Sequence, residues 1–96
     1  MVDTTPEITI DAQGNKFWTR DGDYHREDGP AAEWADGDKY WWLNDRIHRV
    51  DGPAIESENG NKEWWLHGSH YTFDEWLDLN DELTDGEKVM LKLQYG

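Results

Sequence analysis

The sequence predicts an α+β fold: an antiparallel sheet of β-hairpins made of three 23-residue repeat units, capped by two short C-terminal helices. Three observations carry this. Gly14, Gly37 and Gly60 are spaced 23 residues apart, and so are Lys16, Lys39 and Lys62, and Trp18, Trp41 and Trp64. Aromatic runs such as Lys39-Tyr40-Trp41-Trp42-Leu43 lie between turn residues. After Tyr71 the apolar pattern changes from a period of two to one of about 3.6. A fixed period of this length marks supersecondary units that stack on one another.

Element by element, Ile8–Ile10 pairs with Lys16–Thr19 around Gly14-Asn15, Ala31–Trp34 with Lys39–Leu43, and Ala54–Ser57 with Lys62–Leu66. Asp36-Gly37 and Asn59-Gly60 are tight-turn pairs that suit hairpins needing positive φ. Asp-Gly-Pro segments then connect one hairpin to the next. Proline has no N–H for a ladder, so Pro30 and Pro53 belong at strand starts. Thr72-x-x-Glu75 is a capping box followed by Trp76, Leu77, Asn80 and Leu83. Thr84-x-x-Glu87 is a second box, opening an apolar series of Val89, Met90 and Leu93. The whole chain, 1–96, reads as one domain, with hairpins over 8–71 and an acidic helical cap over 72–95 that covers the last hairpin.

Alternation along the strands sends Trp18, Trp41 and Trp64 to one face and Trp42 and Trp65 to the other, with Phe17 and Tyr40 beside them. Equivalent residues of neighbouring hairpins then stand roughly 9–10 Å apart, a regular tryptophan stripe. The stripe is expected to be the core beneath the helices; the alternative is an exposed aromatic platform for a partner or a sugar.

Composition supports a folded domain despite its charge. Hydrophobic content is 35%, but seven Trp, four Tyr and two Phe concentrate it in rings. Such rings bury roughly 150–250 Å² each, enough for a small core. With 22 Asp and Glu against nine Lys and Arg, the net charge is −13. That balance argues against direct nucleic-acid binding, where basic residues neutralise phosphates, and against anionic membranes. It attracts a basic protein or nucleoprotein complex; solubility alone is the plain alternative. No Cys is present, which removes disulfides, thiolate chemistry and Zn–Cys sites. No signal peptide and no apolar run near ~18 residues occurs, so a cytoplasmic location is expected.

The acidity is uneven. On a helix turning about 100° per residue, Asp74, Glu75, Asp78, Asp81 and Glu82 fall within an arc of about 120°, opposite Phe73, Trp76 and Leu83. No Lys or Arg stands between Lys62 and Lys88. Acids in the first turn complement the helix dipole. That does not account for Asp78, Asp81 and Glu82. A one-sided carboxylate ridge imitates a nucleic-acid backbone and fits a basic groove, with Asp36 and Asp38 as further rim contributors.

Catalytic chemistry is mostly excluded. His25-Arg26-x-Asp28 and His48-Arg49-x-Asp51 have the residues of acid–base dyads, but their duplication points to structure. Each His or Arg is expected to bond the Asp or a backbone carbonyl in the adjacent unit and lock the connection. Arg26 and Arg49 suit carboxylates through their two-pronged geometry. His67-x-x-His70 is a weak metal candidate, and neither Asp21-Gly22-Asp23 nor Asp36-Gly37-Asp38 extends into a twelve-residue calcium loop. No phosphate-cradling loop is present, and neither Ser57 nor Ser69 has a nucleophile's setting. A non-enzyme is expected, without cofactor or metal.

Trp42-x-Asn44-Asp45-x-x-His48, at a 23-residue period, resembles the W-x-N-G-x-x-H core of MORN repeats over about residues 8–71. It departs from them at Arg49-Val50-Asp51-Gly52-Pro53, where MORN units carry G-x-G. That H-R-x-D-G-P-A variant is similar to repeats of phage and bacterial proteins. The resemblance implies a single-layer hairpin sheet used in scaffolding or protein contacts. It also implies a phage-type inhibitor, anti-CRISPR-like or anti-restriction-like, acting in the host cytoplasm. The expectation is therefore a non-catalytic acidic binding protein that blocks a basic nucleic-acid-binding host protein by charge mimicry or steric occlusion. The alternatives are a MORN-like assembly module, dimerising through the open edge at residues 8–19, and an aromatic carbohydrate-binding platform.

Overall fold

The computed structural model describes residues 6–96 as a small α+β protein, a mostly antiparallel sheet followed by two helices. The strands are β1 (Glu7–Ile10), β2 (Lys16–Arg20), β3 (Asp23–Tyr24), β4 (Ala32–Glu33), β5 (Lys39–Tyr40), β6 (Trp42–Leu43), β7 (Arg46–Ile47), β8 (Ile55–Glu56), β9 (Lys62–Leu66) and β10 (Ser69–Tyr71). Helices α1 (Phe73–Leu79) and α2 (Asp85–Tyr95) follow. The main path is β1-β2-β4-β5-β8-β9-β10, with β3 on β2 and β6 paired to β7. Along this path the strands keep their chain order, with β2 pairing β4 past β3 and β5 pairing β8 past β6 and β7.

The register fixes which side chains share a face. Ile8 opposes Trp18 and Thr9 opposes Phe17; Phe17 opposes Ala32 and Ala32 opposes Tyr40; Tyr40 opposes Ile55. Trp18, Trp41, Trp64 and Leu66 therefore lie on one face, and Phe17, Tyr24, Tyr40, Trp42 and Trp65 on the other. The extents, 39 × 37 × 20 Å, are those of a slab. Its radius of gyration, 14.2 Å, exceeds the roughly 12–13 Å of a compact chain of this length. Much of the sheet is thus a single layer.

Two sorts of turn alternate along the chain, which the dipeptides alone do not reveal. The Asp36-Gly37 loop closes between Trp34 and Asp38, with Gly37 N–H donating to the Trp34 carbonyl and only Gly37 at positive φ (107°). It is a three-residue loop, a turn followed by a left-handed glycine, and the Asn59-Gly60 loop matches it. The two-residue turns with both φ positive lie at the opposite strand ends: Asp21-Gly22, Asn44-Asp45 and His67-Gly68. These join β2 to β3, β6 to β7 and β9 to β10, hairpins that the alternation of apolar residues did not predict.

The core is one-sided. Trp64, Leu66, Trp76, Leu77 and Leu91 form it, flanked by Val50, Tyr71, Phe73, Leu83 and Tyr95. Both predicted capping boxes are formed: Thr72 with Glu75 and Thr84 with Glu87 bond reciprocally at the helix starts. One expectation fails here. The helices cover Trp64 alone, not the stripe, since their apolar residues reach only the last hairpin. On α2 the residues facing the sheet are Leu91 and Tyr95, while Val89, Met90 and Leu93 point outward, Leu93 being 79% exposed. A helix with apolar residues around most of its girth offers two faces, and packing chose between them.

Candidate functional site

Trp18 and Trp41 are covered by arginine. The Arg26 guanidinium carbon stands 4.1 Å from the Trp18 ring centroid, and that of Arg49 stands 3.9 Å from Trp41. A carboxylate holds each guanidinium in place: Arg26 Nε donates to Asp28 at 2.9 Å and Arg49 Nε to Asp51 at 2.7 Å. Arg26 Nη1 donates to the Pro30 carbonyl and Arg49 Nη1 to that of Pro53, at 3.1 and 3.0 Å. Glu33 and Glu56 add longer contacts of 3.7 and 3.4 Å. Asp-Gly-Pro is thus a clasp around an arginine. The hydrogen bond and charge of Arg26 hold the Asp28 carboxyl below the usual range. At the third tryptophan the clasp is missing: position 72 is Thr, which starts α1, and Phe73 and Trp76 cover Trp64 at 4.7 and 4.8 Å.

The histidines act differently from the expected carbonyl or Asp contact. His25 Nδ1 accepts from Asn44 N–H at 3.0 Å, and His48 Nδ1 accepts from His67 N–H at 2.9 Å. Each imidazole steadies the two-residue turn of the next hairpin, whose N–H has no ladder partner. An accepting Nδ1 puts the ring proton on Nε2. His25, only 3% exposed, buries that Nε2 without a hydrogen-bond partner, 3.6 Å from Glu27 Oε1. His67 and His70, weighed as metal ligands, separate: His67 lies 4.3 Å from His48, and His70 stacks on Trp65 at 4.8 Å.

Burial, and then the neighbouring His67, hold the His48 imidazole below its ordinary value of 6.5, with Glu82 pulling the other way. The folded state therefore binds this proton less readily than the unfolded chain. Stability contributed by neutral His48 is present above 6.5 and is lost as pH falls toward the lower folded value. His48→Asn, which keeps an acceptor but does not titrate, is expected to flatten the rise of urea midpoint with pH below 6.5. An unchanged slope in that variant would sink the assignment.

The acidic residues do not form the predicted arc. Helix α1 ends at Leu79, and Asn80 caps it in extended conformation, so Asp81 and Glu82 sit in the following turn and not on the helix. Asn80 is the reason: its buried amide donates to the Val50 carbonyl at 2.7 Å and its Oδ1 accepts from Glu82 N–H. That bond draws the chain onto the sheet connection and stops the helix. Asp74 and Asp78 remain one turn apart on α1. Glu75 is committed to its cap, where the Thr72 N–H bond holds its carboxyl below the usual range. Asp36 and Asp38 are also employed. Asp36 Oδ1 accepts from Asp38 N–H, and half-buried Asp38 accepts from Glu58 N–H of the next loop at 2.7 Å. They stitch loop to loop, as Asn15 does to Ala35 at 2.7 Å.

The C-terminal part holds a segment of exposed carboxylates: Asp74, Asp78, Asp81, Glu82 and Asp85. Among the described residues none of them is in an ion pair, whereas the arginine-bound carboxylates are Asp28, Glu33, Asp51 and Glu56. The second exposed feature, which the two-face reading only touched, is the aromatic surface opposite the helices. Phe17 lies 5.2 Å from Trp34 and 6.0 Å from Tyr24, and Tyr24 lies 5.4 Å from Trp42. Trp34 and Tyr24 remain 39% and 37% exposed. No helix is long and apolar enough to cross a membrane among the described residues. No family model, no curated protein and no solved structure matches the chain.

Proposed function

We propose that the protein is a non-catalytic binding module whose acidic C-terminal segment engages a basic protein, of the kind that handles nucleic acid, and blocks it. The observation that carries the reading is the set of exposed carboxylates from Asp74 to Asp85 with no cationic partner among the described residues. Three of the four arginines are engaged elsewhere: Arg26 and Arg49 are clasped, and Arg20 donates to Asn44 at 2.7 Å. Uncompensated charge of this kind steers a basic partner inward and raises the rate of association more than the lifetime of the complex. In the same reading the hairpins are stacked units of one 23-residue repeat of the MORN-like kind. They are scaffold, and the helical segment presents the charge.

Charge reversal tests it. Asp78→Lys, Asp81→Lys and Glu82→Lys together are expected to weaken capture of basic proteins from lysate at low salt at least tenfold, with an unchanged melting temperature. Captured partners are then purified and titrated singly. High salt is expected to imitate the variant, because exposed charges are screened beyond about 8–10 Å near physiological ionic strength. Retention of the same partners by the reversed variant rules the reading out.

A second reading rests on β1. Among the described residues no strand pairs its outer edge, and Ile8 and Ile10 are 59% and 62% exposed. Unpaired edges of this sort are templates for another strand. Assembly through it would give a larger species by sedimentation, insensitive to salt.

A further inference from the structure

The aromatic face opposite the helices has the chemistry to hold arginine. On the helix-bearing face the chain uses one device twice: an indole beneath a guanidinium, with a carboxylate beside it. The open face carries the rings without the guanidinium, and carboxylates stand in the adjoining turns. Its rings run without a break from Trp42 to Tyr24 to Phe17 to Trp34 to Tyr40, with neighbouring centroids 5.2 to 6.3 Å apart. Among the described residues the two guanidinium–ring contacts both lie on the other face. Exposed carboxylates stand in the loops next to two of these rings. Asp45 accepts from Tyr24 N–H at 3.3 Å, beside Trp42, and Asp36 stands in the loop that follows Trp34.

We propose that this ring path, with Asp45 in the turn after Trp42 and Asp36 in the loop after Trp34, is a docking surface for arginine side chains of a basic protein segment. The inference rests on the reading above for the sign of the partner's charge, but it places contacts on a different face. Charge complementarity selects the occupant. A second copy would bring another net charge of −13 against the same surface. The rings also meet at 40° to 85°, so they form no flat shelf for a sugar ring. Tilted rings suit guanidinium groups, which stack on one indole and meet a carboxylate edge-on.

The test compares arginine and lysine oligopeptides of equal length, titrated into the full chain by calorimetry, with indole N–H resonances followed by NMR. Both peptides carry the same charge, so an acidic surface alone binds them equally. Stacking on rings is expected to favour the arginine peptide about fivefold or more. Trp34→Ala is expected to remove that preference and leave lysine-peptide binding unchanged, and Trp34→Phe to keep most of it. Shifts should fall on the Trp34 and Trp42 indoles and spare the buried Trp64 and Trp76. The NMR footprint on the unaltered chain stands whether or not Trp34→Ala folds. Equal affinity for the two peptides, or shifts confined to α1, overturns the proposal. So does a dimer that Trp34→Ala dissolves, since the occupant would then be a second copy. The triple Lys variant separates the two readings. If it leaves both affinities unchanged while the arginine preference persists, the acidic segment fails and the aromatic face stands.

Discussion

Trp76→Ala is expected to lower the free energy of unfolding by about 3–5 kcal/mol, the range for removing a buried tryptophan. The indole is fully buried, 4.8 Å from Trp64, and its Nε1–H donates to the Arg49 carbonyl at 3.0 Å. Substitution opens a cavity in the one two-layered region and leaves that carbonyl without its partner. A domain of this size has roughly 5–15 kcal/mol in all, so the variant should lose from about a fifth to all of its stability. Trp76→Phe keeps part of the ring and loses the hydrogen bond, and should fall between. Urea denaturation followed by circular dichroism measures both. A loss under about 1 kcal/mol for the alanine variant would show that α1 is not the principal stabiliser of the last hairpin.

Arg49→Ala is expected to cost about 2–3 kcal/mol, from a guanidinium stacked on Trp41 and hydrogen bonds to a carboxylate and a carbonyl. The Arg49 side chain is only 18% exposed, although its partner Asp51 is 73% exposed, so the stack contributes more than the ion pair. Arg49→Lys should recover less than half of the loss, because an ammonium cannot both stack and fork. Gly52 supplies the sharper test. A Cβ there would stand 2.7 Å from Arg49 Cζ and 2.9 Å from both Nη atoms, so Gly52→Ala must push the guanidinium off its ring. Gly52→Ala is therefore expected to destabilise nearly as much as Arg49→Ala, and to cost close to nothing once Arg49 is already Ala. Simple additivity in this double-mutant cycle would refute the clasp.

That glycine also shows where sequence reasoning stopped. In Asp-Gly-Pro it has the look of a turn residue. Yet neither Gly52 nor Gly29 is at positive φ; both are glycine because an arginine lies against the Cα. The arginine-to-aspartate contact was legible from the spacing of Arg49 and Asp51. Which tryptophan the arginine covered was not, since the stack joins residues eight positions apart on different elements. The duplication of His25 and His48 points to structure, but not to their accepting from turn N–H groups 19 residues on. A signal existed: Asn44 and His67 follow His25 and His48 at the same interval. The acidic arc does not form for a tertiary reason: Asn80 ends the helix by bonding Val50, 30 residues away.

Taken alone, the amino-acid sequence determined the order of sheet and helices, the hairpins around Gly14, Gly37 and Gly60, both capping boxes and the excess of carboxylates. These depend on nearby residues: alternation, turn glycines and Thr-x-x-Glu spacing act within a few positions of themselves. Tertiary structure decided that the helices cover only Trp64, that arginines cover Trp18 and Trp41, and that Val89, Met90 and Leu93 face outward. It also left an aromatic face open on a single-layer sheet. Each of these outcomes is a competition between surfaces far apart in the chain for the same apolar area. A local pattern shows that a tryptophan must be covered; only the folded chain settles by what.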